Sequence, residues 1–363
     1  MRLLDSNRVW MKDITASLVV RVGEWFGASA ELDVESVELR QYPNSFMLRY
    51  RVRTGDSQPA LLVKIPRKPS HRVIGEALKN DYLREHTREY YDFMFAIWRA
   101  FERASDEHGF AIHPLEYFEK WNAIAMLEAE GRSLKSMTFL GAPPKTSRFL
   151  DHLKNAARWL RVYHERVGEL RFETFPRAEI EARLDALLAD LSRNSRGEVD
   201  TASIRTSLLS AVVDDWRVLV ARTHDDFHYS NILISSDGRA CGLDARRRSR
   251  REPIYIDLAT LILDPETRVG SILTGGLLLS RKFLAKGRQS ILEGYFVGDP
   301  HEDAILNFYC ALAVIDKWMI NERRFHTGAA KYVSFFLRPW VRKYFSALLK
   351  RYQARLSHPE NVQ

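Results

Sequence analysis

Cysteine is nearly absent from this chain of 363 residues. The two present, Cys241 and Cys310, are too few for a disulfide framework and lack metal-ligand spacing, which favours a reducing compartment. There is also no uncharged apolar run of the roughly 18 residues that a membrane span requires. At the start, Met1-Arg2-Leu3-Leu4-Asp5-Ser6-Asn7-Arg8 carries charges that interrupt every candidate core of a signal peptide. A cytoplasmic protein is expected. The sequence has no Gly-x-x-x-x-Gly-Lys-Ser/Thr loop, which excludes P-loop chemistry, and no His-Glu-x-x-His metalloprotease motif. It shows no internal repeat and no low-complexity segment.

What is present is an ordinary globular composition, 45% apolar and 28% charged, on a chain long enough for two lobes sharing a cleft. The formal charge of +8 favours anionic partners, including nucleotides, phosphorylated sugars, nucleic acid and acidic lipid surfaces.

Residues 9 to 27 repeat apolar side chains at Ile14, Leu18, Val22 and Trp25, a helical repeat that ends at Gly27 and predicts an N-terminal packing extension over residues 1–33. Strands are predicted at Val34–Arg40, Ser45–Arg53 and Ala60–Ile65. The turn Gln41-Tyr42-Pro43-Asn44-Ser45 has no glycine. Lys64 lies within Leu61-Leu62-Val63-Lys64-Ile65, and a lysine among buried-type residues needs a partner unless its strand is an edge open to solvent. A long helix, about Ser70 to Phe101, carries Glu89 in register with Phe93 and Ile97, and Glu85 as the competing carboxylate. Two more strands, His113–Trp121 and Asn122–Glu130, end at Gly131, a plausible hinge. The domains expected are therefore 1–33, 34–130 and 131–363.

Beyond the hinge, helices are predicted at Thr146–Arg166, Ala178–Arg193 and Thr201–Ala221. The segment Ser192–Glu198 reads as the clearest loop and the best place for a nick. A hairpin joins Ile232–Ser235 to Ala240–Leu243 around Ser236-Asp237-Gly238, and a last helix covers Tyr332–Tyr352.

The chain is organised around His224-Asp225-Asp226-Phe227-His228-Tyr229-Ser230-Asn231, with Asp244 thirteen residues beyond Asn231. A carboxylate, a carboxamide and a second carboxylate at these separations are the parts that hold a divalent metal and orient a hydroxyl nucleophile for phosphoryl transfer. The hairpin brings Asn231 and Asp244 together. His224 and His228, four apart, lack a third ligand for zinc. With Lys64 on an earlier strand, a helix glutamate and a hinge, the sequence from about residue 34 to 264 resembles the aminoglycoside phosphotransferase and choline kinase-like family, relatives of the protein kinases.

That resemblance implies a bilobal α+β fold: a small N-lobe of antiparallel sheet plus one helix, and a larger, mainly helical C-lobe. It implies ATP or GTP and Mg²⁺ as cofactors. Asp226 would be the catalytic aspartate, and Asn231 and Asp244 the metal ligands. Lys64 would contact nucleotide phosphates and be held by Glu89. Backbone near Glu128 and Ala129 would bind adenine, and Ser45 closes the turn where the fold carries its phosphate loop. His228 stands near the γ-phosphate position. His224 would pack and hydrogen bond within the loop, and Asp257, in Tyr255-Ile256-Asp257-Leu258-Ala259, would brace its backbone. Asp225 departs from the family, which has a small residue there, and its carboxylate either perturbs a neighbouring pKa or faces solvent.

Five arginines in six residues follow Asp244. They read either as a solvated basic loop or, with Arg246, Arg247 and Arg248, as an acceptor anion site. From His301 onward there are ten Lys and Arg against five Asp and Glu. This surplus argues for a sugar, glycan, phosphorylated metabolite or lipid-linked acceptor over a polycationic one. The last helix is either core-packing with snorkelling bases or a peripheral membrane contact. The competing classes are a nucleotide-binding pseudokinase with a basic face for an acidic partner, and nucleic-acid binding through the arginine run.

Overall fold

The computed structural model describes residues 2–55, 58–78, 80–104, 107–140, 142–246, 250–298, 303–326 and 330–357. The chain falls into two compact units, Met1–Asp106 with Phe110–Glu130, and Glu107–Gly109 with Gly131–Gln363.

The first unit contains helix α1 (Arg2–Phe26), strands β1 (Glu31–Tyr42), β2 (Ser45–Arg53) and β3 (Ala60–Pro66), helices α2 (Ile74–Leu78) and α3 (Asp81–Ala104), and strands β4 (Pro114–Phe118) and β5 (Ala123–Leu127). The strands form one antiparallel sheet in the order β1-β2-β3-β5-β4. Alternation decides which side chains enter which layer. On one face Phe46, Leu48, Tyr50, Val52, Leu61, Val63 and Ile65 join Ile14, Leu18 and Val22 of α1 and Ile74 and Ala77 of α2 in a continuous core. On the other, Met126 and Ile124 pack with Met94, Tyr90 and Tyr91 of α3 and with Leu62. The N-terminal helix is thus one wall of this unit's core, and three helices rather than one cover the sheet. The single long helix expected from Ser70 is broken; Asn80 Oδ1 accepts the Leu83 N–H (3.2 Å) and restarts it as α3.

The second unit contains β6 (Arg132–Ser133), α4 (Ser147–Arg166), β7 (Arg171–Pro176), α5 (Arg177–Ser195), α6 (Thr201–Leu209), β8 (Asp215–Arg222), β9 (Ile232–Ile234), β10 (Ala240–Gly242), β11 (Arg251–Pro253) and α7 (Tyr255–Thr267). It continues with α8 (Val269–Leu273), α9 (Arg281–Phe296), α10 (Asp303–Arg324) and α11 (Ala330–Ser357). Two small sheets, β10-β9-β6 and β11-β8-β7, sit among these helices.

The helix expected over Thr201–Ala221 ends at Leu209, and Asp215–Arg222 is the central strand β8 instead. Trp216, Val218, Leu219, Val220 and Ala221 are all buried, so the run shows no alternation, and periodicity cannot separate such a strand from a buried helix. Ser192–Glu198 is likewise not an open loop. Helix α5 continues to Ser195, which is buried, and Arg338 and Arg342 donate to the Asn194 and Ser195 carbonyls (2.7 and 3.0 Å). The same arginines converge on the fully buried Glu322 carboxylate through their Nε atoms, each at 2.7 Å. Among the described residues, no helix is long and apolar enough to cross a membrane.

Candidate active site

The segment between β8 and β9 is held from beneath by rings. Phe227 and Tyr163 each stack on Trp159 (centroids 5.6 Å), and the His224 ring meets all three edge-on. Glycine is required at Gly242, because a Cβ there would stand 2.5 Å from the Trp159 ring. His224 is fully buried, and neither ring nitrogen has a hydrogen-bond partner. Burial pushes its pKa down to about 4, so the ring is neutral at physiological pH. The expected packing role stands, but the expected ring hydrogen bond within the loop is not made, because aromatic faces surround the imidazole.

Asp257, also fully buried, accepts the backbone N–H of His224 (Oδ2, 2.6 Å) and of Asp225 (Oδ1, 2.9 Å). Its Oδ2 lies 3.0 Å from His164 Nε2, and His164 Nδ1 lies 2.7 Å from the Tyr295 hydroxyl. A buried carboxylate needs such donors, and here they fix the backbone that carries Asp226. His164 was not singled out from the sequence. Its signal there is a histidine directly following Tyr163 on the apolar face of α4.

Asp226 is half-buried. Asn231 Nδ2 donates to its Oδ2 (3.0 Å) and to its carbonyl (3.1 Å), and His228 Nε2 lies 3.3 Å from Oδ1. The hydrogen bond from His228 holds the Asp226 pKa below the usual carboxylate value against the opposing effect of burial, so the group stays ionised. His228 Nδ1 accepts the Ser230 N–H (3.2 Å), which leaves Nε2 as the protonated nitrogen facing the carboxylate.

The hairpin forms with Ile232 paired to Gly242. The Leu243 N–H donates to the Asn231 carbonyl (2.8 Å) and the Arg246 N–H to the His224 carbonyl (3.1 Å), so residues 243–246 run back along the loop. Asp225 and Asp244 both adopt left-handed backbone, φ 63° and 55°. Aspartate tolerates that region better than most residues, and such positions concentrate at functional sites. Asp244 is exposed. Because the Asn231 amide nitrogen is engaged by Asp226, its oxygen is the atom left to act as a ligand. Two oxygen ligands suit Mg²⁺, which completes its shell with water and phosphate. Among the described residues there is no group of three or more His, Cys, Asp or Glu that could hold a metal.

A cavity of about 760 Å³ opens beside Asp225 and Asp226, walled by α5, α7 and α10. Its carboxylates are Glu179, Asp225, Asp226, Glu252 and Asp316, and its cations Arg183, Arg246, Arg250 and Lys317; the remainder, including Leu187, Ile256, Leu312 and Ile320, is largely apolar. Arg183 pairs with Glu252, and Arg246 Nη1 with Asp225 Oδ2 (3.0 Å). Burial raises the Asp316 pKa. Among the described residues after His301, Lys317 alone of the Lys and Arg lines this cavity, while Arg338 and Arg342 pair with Glu322 and Arg351 with Glu266. Arg246 neutralises Asp225, and Arg247 and Arg248 of the expected anion site lie outside the described residues. Asp316 escaped the sequence reading, though a lone carboxylate in Ala311-Leu312-Ala313-Val314-Ile315-Asp316 was its signal.

In the first unit, Lys64 is on β3, the central strand, so the solvent-edge reading is excluded. It shares the α3 face with Leu62, and its Nζ stands 5.0 Å from the Tyr90 ring centroid. Glu85 is exposed, whereas Glu89 is half-buried with Oε2 shielded from solvent. The Glu128 N–H donates to the Ala60 carbonyl (2.8 Å), and its carboxylate takes a forked bond from Arg49 (2.8–3.0 Å). Adenine recognition through the Glu128 N–H is thereby closed. Ser45 is buried and pairs with Tyr42 across a two-residue Pro43-Asn44 turn, tighter than an open phosphate loop.

No family profile matches the chain, and no curated protein matches it by sequence. Solved structures do match. They include a macrolide 2'-phosphotransferase from Brachybacterium faecium (13% identity, 88% of this chain and 96% of that one, TM-score 0.48). A glucosamine kinase bound to glucosamine, ADP and phosphate is similar at 13% identity over 92% of this chain and 84% of that one, TM-score 0.49. An ADP-bound aminoglycoside phosphotransferase is similar at 12% over 88% and 94%, TM-score 0.46.

Proposed function

We propose that the protein is an ATP-dependent phosphotransferase that moves the γ-phosphoryl group to a hydroxyl of a small molecule or sugar. The observation that carries this reading is the ionised Asp226 carboxylate, fixed by Asn231 at 3.0 Å on a loop braced by Asp257, at the edge of a large cavity. A carboxylate so placed accepts a hydrogen bond from an acceptor hydroxyl and aligns its oxygen for in-line attack. Asn231 and Asp244 would hold Mg²⁺, which when bound offsets the charge of the nucleotide phosphates. His228 lies beside the Asp226 carboxylate and is proposed to reach the transferring group only by giving up that contact. Lys64 of the first unit is proposed to contact the nucleotide phosphates and to be held by Glu89, with Ala129 and the Glu128 carbonyl binding the base. The mixed lining of the cavity favours an acceptor with an apolar body and dispersed polar groups, in place of a strongly anionic one.

The test is ADP formation with Mg²⁺-ATP and a panel of hydroxyl acceptors, reading phosphorylated product by mass. Asp226→Asn should lower turnover by about 10²–10⁴-fold, and Asp244→Ala should lower turnover and raise the Mg²⁺ concentration it requires. Nucleotide binding with no transfer to any acceptor, unchanged by Asp226→Asn, would favour a non-catalytic nucleotide-binding scaffold.

A further inference from the structure

Three stretches of the second unit, residues 131–150, 267–292 and 323–359, contain no aspartate or glutamate, although the chain has 47 of them. The fold brings a piece of each stretch to one surface. Phe139 and Ala142 exchange backbone hydrogen bonds (2.9 and 2.8 Å) in a tight hairpin, and the Leu140 carbonyl lies so close against Gly270 of α8 that a Cβ there has no room. Trp340 of α11 donates its indole N–H to the Ile272 carbonyl of α8 (2.8 Å). After α8 the chain turns through Gly275 and Gly276 (φ 61° and 75°) and presents Leu277 and Leu278 before α9 begins.

This surface is apolar at its tips and basic beside them. All four exposed leucines of the described residues, Leu140, Leu273, Leu277 and Leu278, belong to it, together with Phe139 and Trp340. Leu277 is 88% and Phe139 74% exposed, so both project outward and line no groove. Exposed apolar side chains scattered singly are ordinary, but a patch of them marks a contact surface. Lys135, Arg281 and Lys282 are exposed a few residues away along the same stretches. Arg281 and Lys282 occupy the first turn of α9, which holds no acidic residue, so the helix dipole adds to their positive field instead of offsetting it. Farther along α11 the aromatic series turns inward: Tyr344 donates to the Glu266 carbonyl (2.7 Å), and Leu348 and Tyr352 are buried.

Projecting leucines and aromatics beside bases, on stretches free of acidic residues, complement a negatively charged layer with an apolar interior. A bilayer accepts projecting side chains in any arrangement, whereas a folded partner would need a matching pocket for each. We infer that this face docks on the surface of an anionic lipid bilayer, its apolar tips entering the acyl boundary and its bases meeting headgroup phosphates.

Flotation of the full chain with vesicles of phosphatidylglycerol and phosphatidylcholine, compared with phosphatidylcholine alone, tests this. Binding should appear only with the anionic lipid and weaken as salt rises. The double variant Leu277→Ser/Leu278→Ser should weaken it by about tenfold or more, and Lys282→Gln by about three- to fivefold. All three positions are exposed, so Tm without lipid should stay within about 2 °C of wild type. Failure to bind anionic vesicles, or equal binding by wild type and the leucine variant, would overturn the inference. A solution dimer that the leucine variant dissociates, found in place of vesicle binding, would also overturn it and give the face to a second copy of the chain.

Discussion

Replacing Asp257, which does not itself line the cavity, should loosen the loop that carries Asp226 from below. Its carboxylate accepts the buried His224 N–H at 2.6 Å and the Asp225 N–H at 2.9 Å, and orients His164 at 3.0 Å. Hydrogen bonds to a charged acceptor are each worth about 1.5–3 kcal/mol, and a buried donor left unpaired costs about 1–3 kcal/mol. Asp257→Ala removes the acceptor for both amides, so the second unit should lose about 3–5 kcal/mol. Asp257→Asn keeps one carboxamide oxygen but turns an NH₂ toward the other donor, for about 2–3 kcal/mol. Tyr295→Phe, which removes only the 2.7 Å contact to His164, should cost about 1 kcal/mol. Urea unfolding reports the total, and amide hydrogen exchange at His224 and Asp225 reports the loop itself. Exchange there should accelerate about 30- to 150-fold in Asp257→Asn if local opening gains the same free energy. The reasoning fails if Asp257→Asn and Asp257→Ala are both within about 0.5 kcal/mol of wild type, or if the two amides stay protected.

Further outcomes follow from the same geometry. The folded pKa of His224, about 4, lies below that of an unfolded histidine, so the unfolded state binds more protons between roughly pH 6.5 and 4 and stability falls as pH drops through that window. His224→Phe should flatten this part of the stability-pH profile measured by urea unfolding; an unchanged slope would refute the assignment. The carboxylate of Asp226 is held low by His228, so the acidic limb of the rate-pH profile should lie below the ordinary aspartate range, and His228→Ala should move it upward. Gly242→Ala drives a methyl into the Trp159 ring and should destabilise by about 1–3 kcal/mol with parallel loss of near-ultraviolet aromatic signal. Arg246→Ala breaks an exposed ion pair and should change stability by less than about 0.5 kcal/mol, yet release Asp225 to alter acceptor KM; unchanged KM would detach Arg246 from acceptor binding.

The sequence alone determined the pieces whose logic is local. Alternation in β2 and β3 set their faces, the hairpin after Asn231 followed from Ser236-Asp237-Gly238, and Asp226, Asn231 and Asp244 stood at spacings a short loop and hairpin must bring together. Where neighbours far along the chain decide, local pattern was blind. Strand β8 looked helical because Val218, Leu219, Val220 and Ala221 at its centre are buried on both faces, and helix α5 outran its polar, loop-like end because Arg338 and Arg342 hold its last carbonyls from 144 and 147 residues away. The charge lining the cavity beside Asp226 was beyond local pattern for the same reason. A count of Lys and Arg cannot say which of them are consumed by Glu322 and Glu266, and only tertiary packing reveals that five carboxylates face the space beside Asp226. Chemistry that rests on spacing along a few residues is written in the chain, whereas burial, pairing and the net charge of a cavity belong to the folded structure, since each depends on which distant groups arrive at the same place.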